Sequence, residues 1–134
     1  MKPPRVLACL FASFLAFASA REAFAQVSGT FSIGPGGDYP DLTTASGVLF
    51  SAPSVGEVVF ELRPGYSSAG ETFPISFSMP GGHLTIRPRA DATGLVIESS
   101  ATTVVLGFGA SFVIDGRPGG VGTSRELTIR STST

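Results

Sequence analysis

The sequence predicts an all-β chain wound as a parallel β-helix, a solenoid of short strands, with one short helix ahead of the strands. Three observations predict it. Short β-branched strand signals, each bounded by Gly or Pro, recur along most of the chain. They return in nearly equal steps, from Val59 to Ile86 and again from Ile86 to Ile114. The composition agrees, with 43% hydrophobic residues, 14% charged residues, 17 Gly and 10 Pro. So apolar and turn-rich a chain of 134 residues is neither disordered nor a helical bundle, and it fits one domain.

Residues 1–25 are set apart as a signal peptide. Lys2 and Arg5 form a positive start, and Val6 to Ala20 is an uncharged, mostly apolar run. That run is short for a membrane span, which needs about 20 residues, but suits the core of an export signal. Small residues then recur at Ala18-Ser19-Ala20 and Ala23-Phe24-Ala25, and cleavage is expected after Ala25, ahead of Gln26. Cys9 follows Arg5 too closely to be a lipoprotein cysteine. The mature chain would run from Gln26 to Thr134 with a mildly negative net charge, no cysteine, no Lys and six Arg. It lacks the disulfides common in small exported domains and has no basic surplus for nucleic acid. No membrane span remains after cleavage.

Thr30-Phe31-Ser32-Ile33 alternates as a first strand and stops at Gly34-Pro35-Gly36-Gly37. Asp41 is placed to cap a helix with Leu42, Ala45 and Leu49 on one face, weakened by Gly47 and stopped by Pro53. Segment 26–57 is therefore a strand and a helix, and 58–134 is the strand repeat. Its strands are Val58–Leu62, Ile75–Met79, Leu84–Arg87, Leu95–Glu98, Thr103–Leu106, Phe112–Asp115 and Leu127–Arg130. Three short strands per interval suit a coil with three faces, each coil sharing its core with the next. On this reading Val59, Ile86 and Ile114 stack. The step from Ile97 to Ile129 is longer than the others, the excess looping out at Gly116–Gly122. An antiparallel sandwich is the alternative these signals leave open.

Gly36-Gly37-Asp38-Tyr39, Leu42, Val58-Val59-Phe60 and Arg63-Pro64-Gly65-Tyr66 resemble the N-terminal entry of right-handed β-helix proteins of the pectin-lyase fold. Pectin methylesterases are among them. There a short helix caps the open coil and a V-V-F-x-L-x-P-G-x-Y-like strand starts the first rung; here Gly65 and Tyr66 are adjacent, one residue short. Phe112–Gly116 and Leu127–Ser133 are similar to repeats of large secreted Bacteroidetes-type surface proteins, which often carry type IX sorting domains. The resemblance implies a right-handed parallel β-helix with an N-terminal capping helix, located outside the cell or on its surface. No cap follows Leu127–Ser131, so the chain is expected to stop short of its final rung.

No catalytic, cofactor or metal residues are expected. Pectin-ester hydrolysis in the family uses Gln side chains at an oxyanion, yet past Gln26 this chain has neither Gln nor Asn. Glycoside hydrolysis needs two facing carboxylates. Asp115 has no evident partner, Asp38 and Asp41 belong to a turn and a cap, and Glu57 and Glu61 lie on one outward side of a strand. Lyase chemistry would need an Asp-rich calcium site beside Arg63, Arg87, Arg89, Arg117, Arg125 or Arg130, and none is present. His83 is a lone histidine at a turn. Tyr39, Tyr66, Phe73, Phe77, Phe108 and Phe112 suit packing better than sugar stacking. The function expected is a secreted or cell-surface segment with a non-enzymatic structural, adhesive or glycan-contacting role. The alternative is the N-terminal part of a polysaccharide-acting enzyme whose catalytic rungs lie downstream. The partner expected is a polysaccharide or cell-surface glycan.

Overall fold

The computed structural model describes residues 26–53, 55–107 and 111–132. The expected signal peptide, its cleavage site, Phe108 and Ser133 lie outside the described residues. Among the described residues the fold is all-β with one α-helix. In order it forms β1 (Val27–Ile33), α1 (Leu42–Ser51), β2 (Val55–Leu62), a 3-10 turn (Ser68–Gly70), β3 (Ile75–Phe77) and β4 (His83–Pro88). There follow β5 (Leu95–Ser99), β6 (Val104–Leu106), β7 (Ser111–Ile114), a second 3-10 turn (Pro118–Gly120) and β8 (Leu127–Ser131).

Every pairing between these strands is parallel, which excludes the antiparallel sandwich. The largest sheet has the order β1-β2-β4-β7, and β3-β6 and β5-β8 form two smaller sheets. From β4 onward the chain visits the large sheet, the β5-β8 sheet, the β3-β6 sheet, and then the large sheet and the β5-β8 sheet again. The register sets the return distances. Glu61 of β2 meets Arg87 of β4 across 26 residues of chain. Glu98 of β5 meets Arg130 of β8 across 32.

Two expectations are corrected. Val59 does not stack on Ile86; it pairs with Thr85, and Phe60 pairs with Ile86. Strand alternation decides this: Val58, Phe60 and Leu62 point into the core, so Val59 faces outward. The apolar triplet Val58-Val59-Phe60 hides that alternation in the sequence. Nor does the interval between β2 and β4 hold three strands. The 3-10 turn Ser68–Gly70 takes the place beside β5, where Ser68 Oγ accepts the Glu98 N–H at 3.1 Å.

The core lies between the sheets. Ile33, Phe60, Leu62, Ile75, Phe77, Leu84 and Ile97 are almost wholly buried, each contributing about 1.5–3 kcal/mol by leaving water. α1 begins at Asp41, whose Oδ1 accepts the Thr44 N–H at 2.6 Å, and it buries Leu42, Ala45 and Leu49 against β3. It ends where Ala52 turns extended ahead of Pro53. The turn before β4 passes under β2 so closely that Gly82, at φ +85°, has room for no side chain. A Cβ there would sit 2.3 Å from the Gly56 carbonyl oxygen.

Candidate functional site

Three groups of titratable side chains stand out among the described residues, each set by strand register or a turn. The first is a set of cross-strand ion pairs on outward positions. Glu61 and Arg87 are register partners, and both Nε (2.9 Å) and Nη2 (2.6 Å) of Arg87 donate to Glu61 Oε1. Glu98 and Arg130 repeat the arrangement across β5 and β8. Parallel in-register pairing places opposite charges one strand spacing apart, so the pairs reinforce the register.

The second group is an open groove beyond β7, lined by Val113, Ile114, Asp115, Arg117, Thr123 and Arg125. Asp115 leaves β7 as its backbone N–H donates to the Ile86 carbonyl at 2.9 Å. Its carboxylate accepts the Arg117 backbone N–H at 3.0 Å and the Arg117 guanidinium at 2.8–3.2 Å. Those bonds favour the ionised form and hold the Asp115 carboxyl at about 2. Arg125 flanks the groove; among the described residues, it and Arg63 carry no ion pair. The groove thus offers one anchored carboxylate, one neutralised cation and one available guanidinium, a set suited to holding an acidic or hydroxylated ligand.

The third group caps α1. Glu71 accepts the Leu42 N–H at 2.7 Å, and the Thr43 N–H at 2.8 Å and hydroxyl at 2.5 Å. Tyr66 is buried and its hydroxyl donates to Glu71 Oε1 at 2.6 Å. Burial, and next the Glu71 carboxylate, push the phenol well above its ordinary range. A carboxylate at a helix N-terminus meets unpaired N–H groups and the positive end of the dipole. Sequence reasoning missed Glu71 because its partners lie 28 and 29 residues away, with no local capping signature.

No family model, no curated protein and no solved structure matches this chain.

The other residues singled out from sequence are dispersed. Asp38 closes the turn after β1, accepting the Ser32 N–H at 2.7 Å and hydroxyl at 2.8 Å, and the backbone bond lowers its carboxyl below the usual range. Asp41 caps α1, and Glu57 is exposed on the outer side of β2. Arg89 pairs with Asp91, whose carboxyl is lowered by that guanidinium. His83 opens β4 with its Nε2 3.3 Å from Thr85 Oγ1. Among the described residues no three His, Cys, Asp or Glu side chains gather closely enough to hold a metal ion. Phe77 is core, and Phe73 and Phe112 pack against it. Tyr39 packs with Phe31 and Phe60 at ring-centroid separations of 5.7 and 6.4 Å. Asp115 therefore does have a partner, Arg117, two residues on and across a turn that sequence alone does not place.

Proposed function

We propose that this chain is a stretch of right-handed parallel β-helix, exported by its N-terminal segment, with a structural, adhesive or glycan-contacting role and no turnover of its own. The order in which the chain visits its three parallel sheets carries the reading. A chain that returns to the same sheet in the same direction, after 26 residues in one sheet and 32 in another, winds as a coil whose turns share one core. Parallel returns within one sheet are right-handed almost without exception. α1 beside β3 and the Ser68–Gly70 turn beside β5 support reading them as an entry cap of such a coil, as the resemblance to pectin-lyase-fold proteins implies.

The carboxylates favour the non-enzymatic role. Asp38, Asp41, Glu61, Glu71, Asp91, Glu98 and Asp115 are each engaged by a backbone N–H, a hydroxyl or an Arg. General acid–base work needs an acid and a base aimed at one substrate bond. Tyr66 is closed to stacking on a sugar by its burial, which leaves contact with acidic or hydroxylated glycan to Arg125 and the outer arginines.

Two measurements test this. Mass spectrometry of the exported protein should find Gln26 at the N-terminus; an N-terminus at Met1 overturns export by cleavage. The purified protein should bind glycans weakly and leave pectin, polygalacturonate and related polymers intact. Turnover that Asp115→Asn abolishes and Glu57→Gln does not would make the groove beyond β7 an active site and favour the enzyme alternative.

A further inference from the structure

We propose that Gln26, on the reading that export ends with cleavage after Ala25, is a covalent modification site. It closes on itself to a pyroglutamyl residue, a five-membered lactam that leaves the mature chain without an N-terminal charge. The sequence holds no Asn and no Gln other than Gln26. Its one carboxamide side chain therefore stands at the residue that cleavage would make N-terminal, the one position from which an α-amine can reach it.

Within the uncleaved chain the Gln26 nitrogen is part of a resonance-stabilised peptide bond and is no nucleophile. Cleavage turns it into an α-amine that titrates at about pH 8, so a reactive unprotonated fraction is present at neutral pH. The amine nitrogen attacks Cδ of its own side chain, and a C–N bond closes the ring. The bond from Cδ to Nε2 breaks. Nε2 leaves as ammonia, carrying the proton that the amine gives up. Nothing is oxidised or reduced, and no co-reactant enters.

The place of Gln26 in the fold allows the step. It is exposed and directly precedes β1. Its carboxamide lies along β2 over Gly56, with Cδ, Oε1 and Nε2 at 3.0, 3.2 and 3.3 Å from where a Gly56 Cβ would be. Gly56 is inside β2 and is not among the glycines with positive φ. The backbone does not require glycine there; a strand glycine of this kind marks the close approach of another group. With no side chain at position 56, β2 puts nothing in the way as the carboxamide turns back to the amine. Ring closure uses atoms of residue 26 alone, so the pairing of β1 with β2 from Val27↔Val55 onward is untouched.

The product protects the fold it begins. Val27 opens β1 and packs partly buried against the core, so the mature chain would have a single residue ahead of its first strand. The lactam offers no α-amine, the group that an aminopeptidase recognises, and β1 is thereby shielded from trimming outside the cell.

Mass spectrometry of the full-length chain produced in an exporting host, before and after incubation at neutral pH, tests this. The N-terminal fragment should begin at residue 26 and be lighter than its sequence by the mass of one ammonia. Gln26→Ser should show its unmodified mass, and a broad-specificity aminopeptidase should shorten that variant while leaving the wild type whole. An N-terminus at Gln26 that keeps its full mass overturns the modification and leaves export by cleavage standing. An N-terminus elsewhere overturns both. Loss of ammonia that persists in Gln26→Ser, or two chains that respond alike to the aminopeptidase, also overturns the proposal.

Discussion

Single side chains in this protein act mainly by satisfying backbone groups that the fold leaves open. Glu71 is the clearest case, since one carboxylate serves two N–H groups and a hydroxyl at the start of α1 and also receives the Tyr66 hydroxyl. Glu71→Ala should destabilise the chain by about 1–3 kcal/mol, read as a lower urea midpoint. Tyr66→Phe, which removes only one donor and keeps the ring in the core, should cost about 1 kcal/mol. Asp115 makes a pH prediction. Its carboxyl is held at about 2 in the fold, below its ordinary 3.8, by the Arg117 guanidinium and backbone N–H. A depressed carboxyl stabilises the fold fully above its unfolded value, and that contribution is lost as protons bind on the way down. Thermal stability should therefore fall between about pH 4 and pH 2, and Asp115→Asn should make the fall shallower. Asp38 and Asp91 are shifted the same way and keep the rest of the slope. None of these partnerships was legible in the sequence beyond the Asp41 cap. Asp115 and Arg117 are near neighbours, yet only the turn geometry decides that they meet.

Elements were far more legible than their contacts. The α1 face of Leu42, Ala45 and Leu49, its start at Asp41 and its stop before Pro53 follow from local rules, and the structure has them. The strand positions also follow from β-branched runs between Gly and Pro. Registers did not, because Val58-Val59-Phe60 offers three apolar residues for two inward positions, and only pairing with Leu84 and Ile86 selects Val58 and Phe60. Two glycines separate what an element tolerates from what it requires. Gly47 sits in α1 where an added methyl group would meet nothing within 4 Å, so Gly47→Ala should stabilise by about 0.5–1 kcal/mol. Gly82 is at φ +85° with the Gly56 and Val55 carbonyl oxygens at 2.3 and 2.5 Å from where a Cβ would lie. Gly82→Ala should cost more than about 2 kcal/mol, because backbone and not a movable side chain blocks it. Chemical denaturation of the two variants side by side checks both signs.

Across the whole molecule the sequence intervals carried the all-β class, and the parallel returns then removed the antiparallel alternative. Spacing sees the repeat because successive returns use similar lengths of chain. It does not see that α1 and the Ser68–Gly70 turn replace strands near the start, since helix and turn signals say nothing of the neighbour they lie against. The same return length has a mechanical consequence. Each strand of the large sheet after β1 is held by a distant partner, as Arg87 is held by Glu61 across 26 residues of chain. Tension applied at the two termini should peel one such segment before it loads the next, so the chain is expected to lengthen in steps. At about 3.4 Å per extended residue a released segment adds roughly 90–100 Å. Optical-tweezer traces should then show a ladder of extensions near that length, and a single rip of the entire chain would count against serial release. Serial release of that kind would take up a sudden load in steps while part of the chain stays folded.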